Sequence, residues 1–257
     1  MIAGIDIGSR SIELVCLERG EPALTRRLPT TFDPLGQIKT LLAGVEFSAM
    51  AATGYGRALA AKALSENGGA VVQTITEIKA YGLGASMLAP EARTVLDIGG
   101  QDTKAISLAG NGKVLKFEMN DRCAAGTGKF LEHVANVFQI AIEDFGSYAL
   151  QGEKPLAINS MCTVFAETEA TSLMARGYEP QDIALGLHAS IVKRTMNMLG
   201  RVGLNRPVLF AGGVANNPCV VALVTEALGE KPIVPEQPEM VGALGAALHA
   251  ANAAVAT

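Results

Sequence analysis

Short apolar runs that end in glycine-containing polar turns recur along the chain. Residues 2–7 form one such run, and residues 12–18 alternate apolar and polar side chains, so together they predict a β-hairpin. Residues 93–98 and 104–108 predict a second hairpin of the same design. Longer segments carry apolar residues at helical spacing, most clearly residues 180–201, where they form one stripe. The pattern predicts an α/β protein in which a strand–turn–strand unit occurs twice.

The turns of both predicted hairpins combine an acidic residue with glycine. The first, residues 6–11, reads DIGSRS, and the second, residues 97–102, reads DIGGQD. Glycine-rich turns can wrap backbone N–H groups around phosphate oxygens, and a carboxylate at a strand end can hold magnesium through water. A third glycine turn, residues 210–216, follows an apolar strand and leads into a helix, where its glycines would let the backbone approach an adenosine. The repetition suggests two similar domains that face each other across a nucleotide cleft.

Two cysteines, Cys123 and Cys162, each stand beside polar, charged or glycine-containing residues at the entrance of a predicted helix. The positive end of a helix dipole favours thiolate over thiol. Two thiolates are too few for a zinc or iron–sulfur site, which usually takes four protein ligands, but two chains would supply four. The residues therefore suggest a metal centre shared across a two-fold axis.

Other interpretations of the cysteines stay open. A cysteine at a helix start is most often a small buried hydrophobic residue. A disulfide between Cys123 and Cys162 is disfavoured because nothing indicates an oxidising compartment, and their spacing fits no C-x-x-C motif. We interpret Cys16 and Cys219 as packed structural thiols.

Composition and charge narrow the function classes. The 257 residues are 49% hydrophobic with a net charge of −4, and no basic stripe occurs, which argues against nucleic acid as a partner. The first residues lack the basic flank of a signal peptide and meet a charge at Asp6, and no apolar run is long enough to span a bilayer. We therefore expect a cytoplasmic protein with no membrane partner. The histidines are interpreted as structural because none has a histidine or carboxylate at ligand spacing: His133, His188 and His249.

The three glycine turns, in this order, resemble the phosphate-1, phosphate-2 and adenosine motifs of the superfamily of actin, sugar kinases and heat-shock chaperone ATPases. Within that superfamily, the cysteine segments and two glycine segments resemble the activators of 2-hydroxyacyl-CoA dehydratases, whose close relatives are the ATPase subunits of benzoyl-CoA reductase. The segments are 53–57 (TGYGR), 97–102, 119–128 (MNDRCAAGTG) and 160–167 (SMCTVFAE). The resemblance runs from Gly4 to the final helix. It implies an α/β fold of two ribonuclease H-like, actin-like ATPase domains flanking a nucleotide cleft.

The resemblance also implies a domain division and a cluster. We expect the domains to span residues 1–88 and 89–257, the second carrying both cysteines, with a final helix at residues 240–254 packing back onto the first. Members of the family are homodimers in which one [4Fe–4S] cluster bridges the subunits. Cys123 and Cys162 of each chain would be its ligands, and the helices after them would point their N-termini at the cluster.

A magnesium–ATP site is implied as well. Asp6, Asp97 and Asp102 would surround Mg²⁺ through its water shell, with Asp97 also expected to act in catalysis. Glu77 or Gln101 would position the hydrolytic water; the other interpretation of Glu77 is a first-turn carboxylate that the helix dipole favours. The residues expected to contact the nucleotide are Asp6, Gly8, Ser9, Arg10, Ser11, Gly99, Gly100, Gln101, Asp102, Gly212, Gly213, Val214 and Asn216.

The implied function is one-electron transfer, driven by ATP hydrolysis, from ferredoxin or flavodoxin to a partner 2-hydroxyacyl-CoA dehydratase or a related CoA-thioester reductase. Arg10 and Glu13 depart from the family pattern, in which many members carry a small or hydroxyl residue and then a lysine. Two alternatives are a small-molecule kinase of the same superfamily, with both motif cysteines as core residues, and a non-catalytic module that binds nucleotide to gate an assembly. Iron content separates the first function from both alternatives.

Overall fold

The structure is a computed structural model that describes residues 1–66, 72–158 and 162–255. Residues 160 and 161 of the second cysteine segment lie outside these ranges. The strands are β1 (Ile2–Ile7), β2 (Ser11–Glu18), β3 (Glu21–Pro29), β4 (Ala49–Thr53), β5 (Val72–Thr74), β6 (Thr94–Ile98), β7 (Thr103–Leu108), β8 (Val114–Asn120) and β9 (Val208–Ala211). The α-helices are α1 (Pro34–Leu42), α2 (Arg57–Glu66), α3 (Glu77–Leu88), α4 (Gly128–Val137), α5 (Ile142–Ala149), α6 (Thr163–Ala175), α7 (Pro180–Val202), α8 (Pro218–Leu228) and α9 (Val241–Val255).

The chain divides into two units. The first comprises Met1–Val95, Leu108–Leu115 and Glu239–Thr257, and the second comprises Leu96–Ser107 and Lys116–Pro238. The first unit contains a sheet of strand order β3-β2-β1-β4-β5, and the second contains most of a sheet of order β8-β7-β6-β9. Within the described ranges, no helix is both long and apolar enough to cross a membrane.

In the first unit, β1 lies at the centre of the sheet, antiparallel to β2 and parallel to β4. Successive side chains of a strand point to opposite faces. Ile5 accordingly packs with Ile38 of α1 and Ala60 of α2 on one face. On the other face Gly4 lies against the backbone of Ala247 in α9. Both faces of the central strand are therefore covered, which explains why β1 is apolar almost throughout.

In the second unit, α7 is the long helix whose apolar stripe was predicted from the sequence, and the prediction is confirmed. All members of the stripe are buried: Ile183, Leu187, Ile191 and Met198. The helix begins at Pro180, where the missing N–H of proline costs no intrahelical hydrogen bond. It ends before Gly203, whose φ of +78° is the left-handed conformation that favours glycine. Phe130 of α4 and Phe210 of β9 belong to the same core.

His188 of α7 is completely buried in this core. Its Nδ1 donates to the carbonyl oxygen of Ala184 over 2.7 Å, and its Nε2 lies 3.2 Å from Nδ2 of Asn217. Oδ1 of Asn217 accepts the N–H of Val220 in the first turn of α8. One donating and one accepting nitrogen define a neutral ring, and burial lowers the pKa of His188 to about 4. The structural role predicted for His188 is therefore confirmed.

The lowered pKa of His188 predicts an acid-sensitive second unit. The unfolded chain binds a proton on this ring near pH 6.5, whereas the folded chain keeps it neutral down to about pH 4. Because the unfolded state binds more protons between these values, the free energy of unfolding should fall by about 2 kcal/mol from this group between pH 7 and pH 5. Urea unfolding of wild type and His188→Gln at both pH values measures the effect. An unchanged pH dependence in the variant would assign the acid sensitivity to another group.

Candidate functional site

The turn between β1 and β2 is closed by its own backbone and braced by β3. The N–H of Gly8 donates to the carbonyl oxygen of Ser11 over 3.1 Å. Thr30, directly after β3, donates its hydroxyl to Gly8 and its N–H to Arg10, over 2.8 and 2.9 Å. Ser9 and Arg10 are exposed at the tip. The predicted phosphate-contact residues of this turn are thus carried on a fixed backbone at the surface of the first unit.

Asp6, at the end of β1, is enclosed by glycines. A Cβ on Gly54 would lie 2.4 Å from its Oδ1, and a Cβ on Gly242 would lie 2.1 Å from its Oδ2. Asp6 is 7% exposed. Thr53, its register partner on β4, buries a hydroxyl that has no hydrogen-bond partner among the described residues. A buried carboxylate and a buried hydroxyl on paired residues offer the oxygen ligands that a hard cation prefers.

Asp97 and Asp102 are joined by a lysine that the sequence analysis did not single out. Nζ of Lys104 lies 2.9 Å from Oδ2 of Asp97 and 2.8 Å from both carboxylate oxygens of Asp102. The side chain of Lys104 is 3% exposed and that of Asp97 is fully buried, whereas that of Asp102 is 24% exposed. Two of the three carboxylates predicted to surround magnesium are therefore brought together, with the lysine ammonium between them.

The third glycine turn packs against Asp97. Gly212 has a φ of +83°, and a Cβ there would lie 2.4 Å from Oδ1 of Asp97. The turn continues as the 3₁₀ segment Gly213–Asn216, in which Val214 is buried against Gly128 while Gly213 and Asn216 are exposed. Two of the three predicted turns thus meet in the second unit, with Asp97 between them.

The helix after Cys123 is directed at the second hairpin. α4 begins at Gly128, whose N–H donates to the carbonyl oxygen of Gly99 over 2.9 Å, and the N–H of Lys129 donates to Gly100 over 2.8 Å. The free N–H groups at the start of this helix therefore bind the hairpin turn. This corrects the expectation that Cys123 stands at a helix N-terminus, because Cys123 lies in the turn that precedes α4. Cys162, in contrast, is the residue directly before the first turn of α6, as expected.

The Cys123 turn is itself tied to the second hairpin. The hydroxyl of Thr103, at the start of β7, donates to the carbonyl oxygen of Gly126 over 2.6 Å. Nδ2 of Asn120 donates to the carbonyl oxygens of Cys123 and Ala125, over 2.9 and 3.1 Å. A displacement of the hairpin turn would therefore also displace the backbone around Cys123.

The cysteines divide into two classes. Cys123 and Cys162 are exposed, and Cys16 and Cys219 are buried. Burial raises the pKa of Cys219 to about 12 and also raises the pKa of Cys16, so both stay protonated, as their predicted packing roles require. Among the described residues, no three His, Cys, Asp or Glu side chains are placed to hold a metal ion together. The two exposed thiols of one chain are half of the four ligands that an iron–sulfur cluster usually takes.

His133 has a carboxylate partner that its sequence neighbourhood does not contain. Its Nε2, on α4, lies 2.7 Å from Oε2 of Glu167, on α6. Glu167 is 34 residues from His133 in the sequence, so the contact could not be found from ligand spacing, and the structural role of His133 stays a prediction. Both partners are partly exposed, and they join the two helices that follow the exposed cysteines.

The two candidates for positioning the hydrolytic water lie in different units. Glu77 is half-buried and begins α3 in the first unit, directly after Thr76. Gln101 is exposed at the tip of the second hairpin. The choice between them stays a prediction.

Comparison with known proteins places this arrangement in a family. The chain is 36% identical over 256 residues to a 2-hydroxyisocaproyl-CoA dehydratase activator of Clostridioides difficile, covering 96% of this chain and 93% of the relative. It is also 36% identical over 256 residues to the (R)-2-hydroxyglutaryl-CoA dehydratase activating ATPase of Acidaminococcus fermentans, covering 96% of this chain and 95% of the relative. The solved structure of the Clostridium difficile activator with bound ADPNP superimposes with a TM-score of 0.88 at 34% identity, covering 99% of this chain and 96% of the other.

This likeness confirms the predicted α/β fold of the actin-like ATPase class. The sequence model of the BadF/BadG/BcrA/BcrD ATPase family matches residues 3–250. The glycine turns and the two exposed cysteines lie within that range. The chain therefore belongs to the BadF/BadG/BcrA/BcrD ATPase family.

Proposed function

We propose that this chain is a homodimeric activator that uses ATP hydrolysis to drive single electrons from ferredoxin or flavodoxin, through a [4Fe–4S] cluster shared by two copies, to a 2-hydroxyacyl-CoA dehydratase or a related CoA-thioester reductase. Membership of an ATPase family supports ATP binding and hydrolysis. The dehydratase-activator relatives support the type of partner.

The observation that carries the proposal is the attachment of the Cys123 turn to the second hairpin. The hairpin carbonyls of Gly99 and Gly100 accept the first N–H groups of α4, and Thr103 donates to Gly126. A phosphate-dependent shift of this hairpin would move Cys123 within the same unit. An electron-transfer protein gated by ATP needs such a physical link between its nucleotide and its redox centre.

The nucleotide would be held by the three glycine turns. When bound, Mg²⁺ would neutralise the phosphate charge that develops during hydrolysis. Asp6, Asp97 and Asp102 would hold its water ligands, and their enclosure by glycine backbone keeps the carboxylates in fixed positions. Glu77 or Gln101 would orient the attacking water. The turn residues would bind phosphate through backbone N–H groups.

The cluster would be held by Cys123 and Cys162 of both copies and would carry one electron at a time. Two exposed thiols per chain give the four ligands that one [4Fe–4S] cluster per dimer needs. Beside Cys162, the first turn of α6 exposes Val164 and Phe165, each 64% accessible. Adjacent exposed apolar side chains are typical of a surface that another protein covers. The small-molecule kinase alternative required both cysteines in the core, and their exposure disfavours it.

The test uses dithionite-reduced protein, MgATP and 2-hydroxyisocaproyl-CoA dehydratase. Dehydration of the acyl-CoA should require the protein and ATP, and ADPNP should not replace ATP. Activation without ATP, or phosphoryl transfer to a small acceptor, would contradict the proposal.

Thr103→Val tests the link itself. The substitution keeps the shape of the side chain and removes only the hydroxyl that bonds to Gly126. We expect ATP hydrolysis to stay within about twofold of wild type, while electrons delivered per ATP fall at least about fivefold, since coupling energies of 1–3 kcal/mol are typical. Thr225→Val is the control, because its hydroxyl makes a similar bond inside α8, to Val221 over 2.7 Å. Equal electron yields in both variants would contradict the link.

A further inference from the structure

The charge balance of the second hairpin depends on a buried ammonium group. The Nζ of Lys104 lies within 2.9 Å of carboxylate oxygens of both Asp97 and Asp102, and its side chain is 3% exposed. Desolvation of a charged lysine is unfavourable and is tolerated when a charge partner offsets it. Here two carboxylates serve as partners at hydrogen-bond distance.

Both carboxylates are held by glycine backbone. A Cβ on Gly212 would lie 2.4 Å from Oδ1 of Asp97, so the main chain lies directly against that carboxylate. A Cβ on Gly99 would lie 2.8 Å from Oδ1 of Asp102, and the N–H of Gly99 donates to the carbonyl oxygen of Asp102 over 2.9 Å. The long side chain of Lys104 has the most rotatable bonds of the three charged groups. Lys104 is therefore the charged side chain of this site that can change conformation when a ligand binds.

The lysine changes what the site attracts. Ionised Asp97 and Asp102 together with Lys104 carry one net negative charge, whereas the carboxylates alone would carry two. Affinity for a hard divalent cation rises with the number of carboxylate charges, and an ammonium group at hydrogen-bond distance from both carboxylates lowers it. A metal already bound to nucleotide phosphates arrives as a complex whose net charge is negative. The ammonium group of Lys104 opposes the binding of such a complex much less.

We propose that Lys104 is a built-in counter-cation that keeps the Asp97–Asp102 site free of divalent metal until nucleotide phosphates arrive. The inference rests on the proposed nucleotide site and specifies how it loads: metal and nucleotide enter together, and metal alone does not enter first. Lys104 acts through the two carboxylates and is therefore a positioning residue, not a catalytic one.

The test is a titration with Mn²⁺, a paramagnetic substitute for Mg²⁺, in which free Mn²⁺ is followed by electron paramagnetic resonance. Wild type should bind Mn²⁺ at least about tenfold more tightly with ADP than without it, after subtraction of Mn–ADP formed in buffer. Lys104→Gln should bind Mn²⁺ without nucleotide at least about tenfold more tightly than wild type. Asp102→Asn combined with Lys104→Gln should lose that gain.

Lys116→Gln is the matched control. Lys116 lies on β8 of the same sheet, where its exposed Nζ donates to the carbonyl oxygen of Arg201. Its replacement therefore removes a positive charge that forms no ion pair with Asp97 or Asp102. It should bind Mn²⁺ as wild type does. A Lys104→Gln variant that binds Mn²⁺ no more tightly than wild type would overturn the proposal.

One arm needs no variant and stays decisive if Lys104→Gln does not fold. Wild type that binds Mn²⁺ equally tightly with and without ADP would overturn the proposal. Wild type that binds no Mn–ADP at all would overturn both the proposal and the nucleotide site. The Mn²⁺ titration does not depend on the iron–sulfur cluster. A protein without the cluster would contradict the proposed electron transfer, but it would leave the conclusion on Lys104 intact.

Discussion

Replacing Cys123 or Cys162 by serine is expected to remove all bound iron while leaving ATP binding intact. A serine hydroxyl stays protonated near neutral pH and does not replace a thiolate as an iron ligand. A cluster held by two cysteines from each of two chains would lose two of its four ligands through one substitution, because the change is present in both copies. Iron and sulfide analysis of anaerobically purified variants, with nucleotide binding measured alongside, gives the result.

Cys219→Ala is the control for the cysteine variants. Cys219 is fully buried, and burial raises the pKa of its thiol to about 12. The Cys219→Ala variant should keep iron at the wild-type level, while its free energy of unfolding falls because core packing is lost. Variants of Cys123 and Cys162 that both retain iron would show that the ligands have been misassigned.

Asp97→Asn is expected to lower the rate of ATP hydrolysis about 100-fold or more, because loss of a carboxylate that positions a metal–phosphate complex removes transition-state stabilisation. Asp97 is fully buried between Lys104 and Gly212. The asparagine is almost the same size, so the glycine enclosure is kept while the charge is lost. Steady-state hydrolysis over a range of Mg²⁺ concentrations measures the change in kcat and in metal dependence.

Asp182→Asn is the matched variant for that measurement. Oδ1 of Asp182 accepts the N–H groups of Glu153 and Lys154, over 2.8 and 3.1 Å, so this aspartate has a purely structural task in the same unit. Its replacement should lower the free energy of unfolding by about 1 kcal/mol and leave hydrolysis unchanged. If Asp97→Asn hydrolyses ATP at the wild-type rate, the assignment of Asp97 to the metal–nucleotide site is wrong.

Features encoded by local periodicity were predictable. The two hairpins and the stripe of α7 follow from apolar runs, alternation and helical spacing within single segments. The turn at Gly212 could be recognised because consecutive glycines after an apolar strand have few other uses.

Contacts between distant segments were not predictable in the same way. Strand alternation places Asp102 and Lys104 on one side of the chain, but the contact of Lys104 with Asp97 depends on the register of the hairpin. The His133–Glu167 contact depends on the packing of α4 on α6. No spacing rule within one segment identifies such pairs.

The residue at which α4 begins was also not predictable from local sequence. The small residues after Cys123 were interpreted as the opening of the helix, yet Gly126 has a φ of +88° and the helix begins only at Gly128. A left-handed residue cannot belong to a right-handed helix. The bond from Thr103 to Gly126 holds this conformation and joins it to the hairpin. A tertiary contact therefore decided where the helix begins.

The shared cluster is tested most simply by measuring iron and acid-labile sulfide per chain on anaerobically purified protein, with molar mass by light scattering. Two exposed cysteines per chain and four ligands per cluster predict two irons and two sulfides per chain in a dimer. An iron-free monomer that still hydrolyses ATP would contradict the shared cluster and return the function to the small-molecule kinase or the nucleotide-gated module.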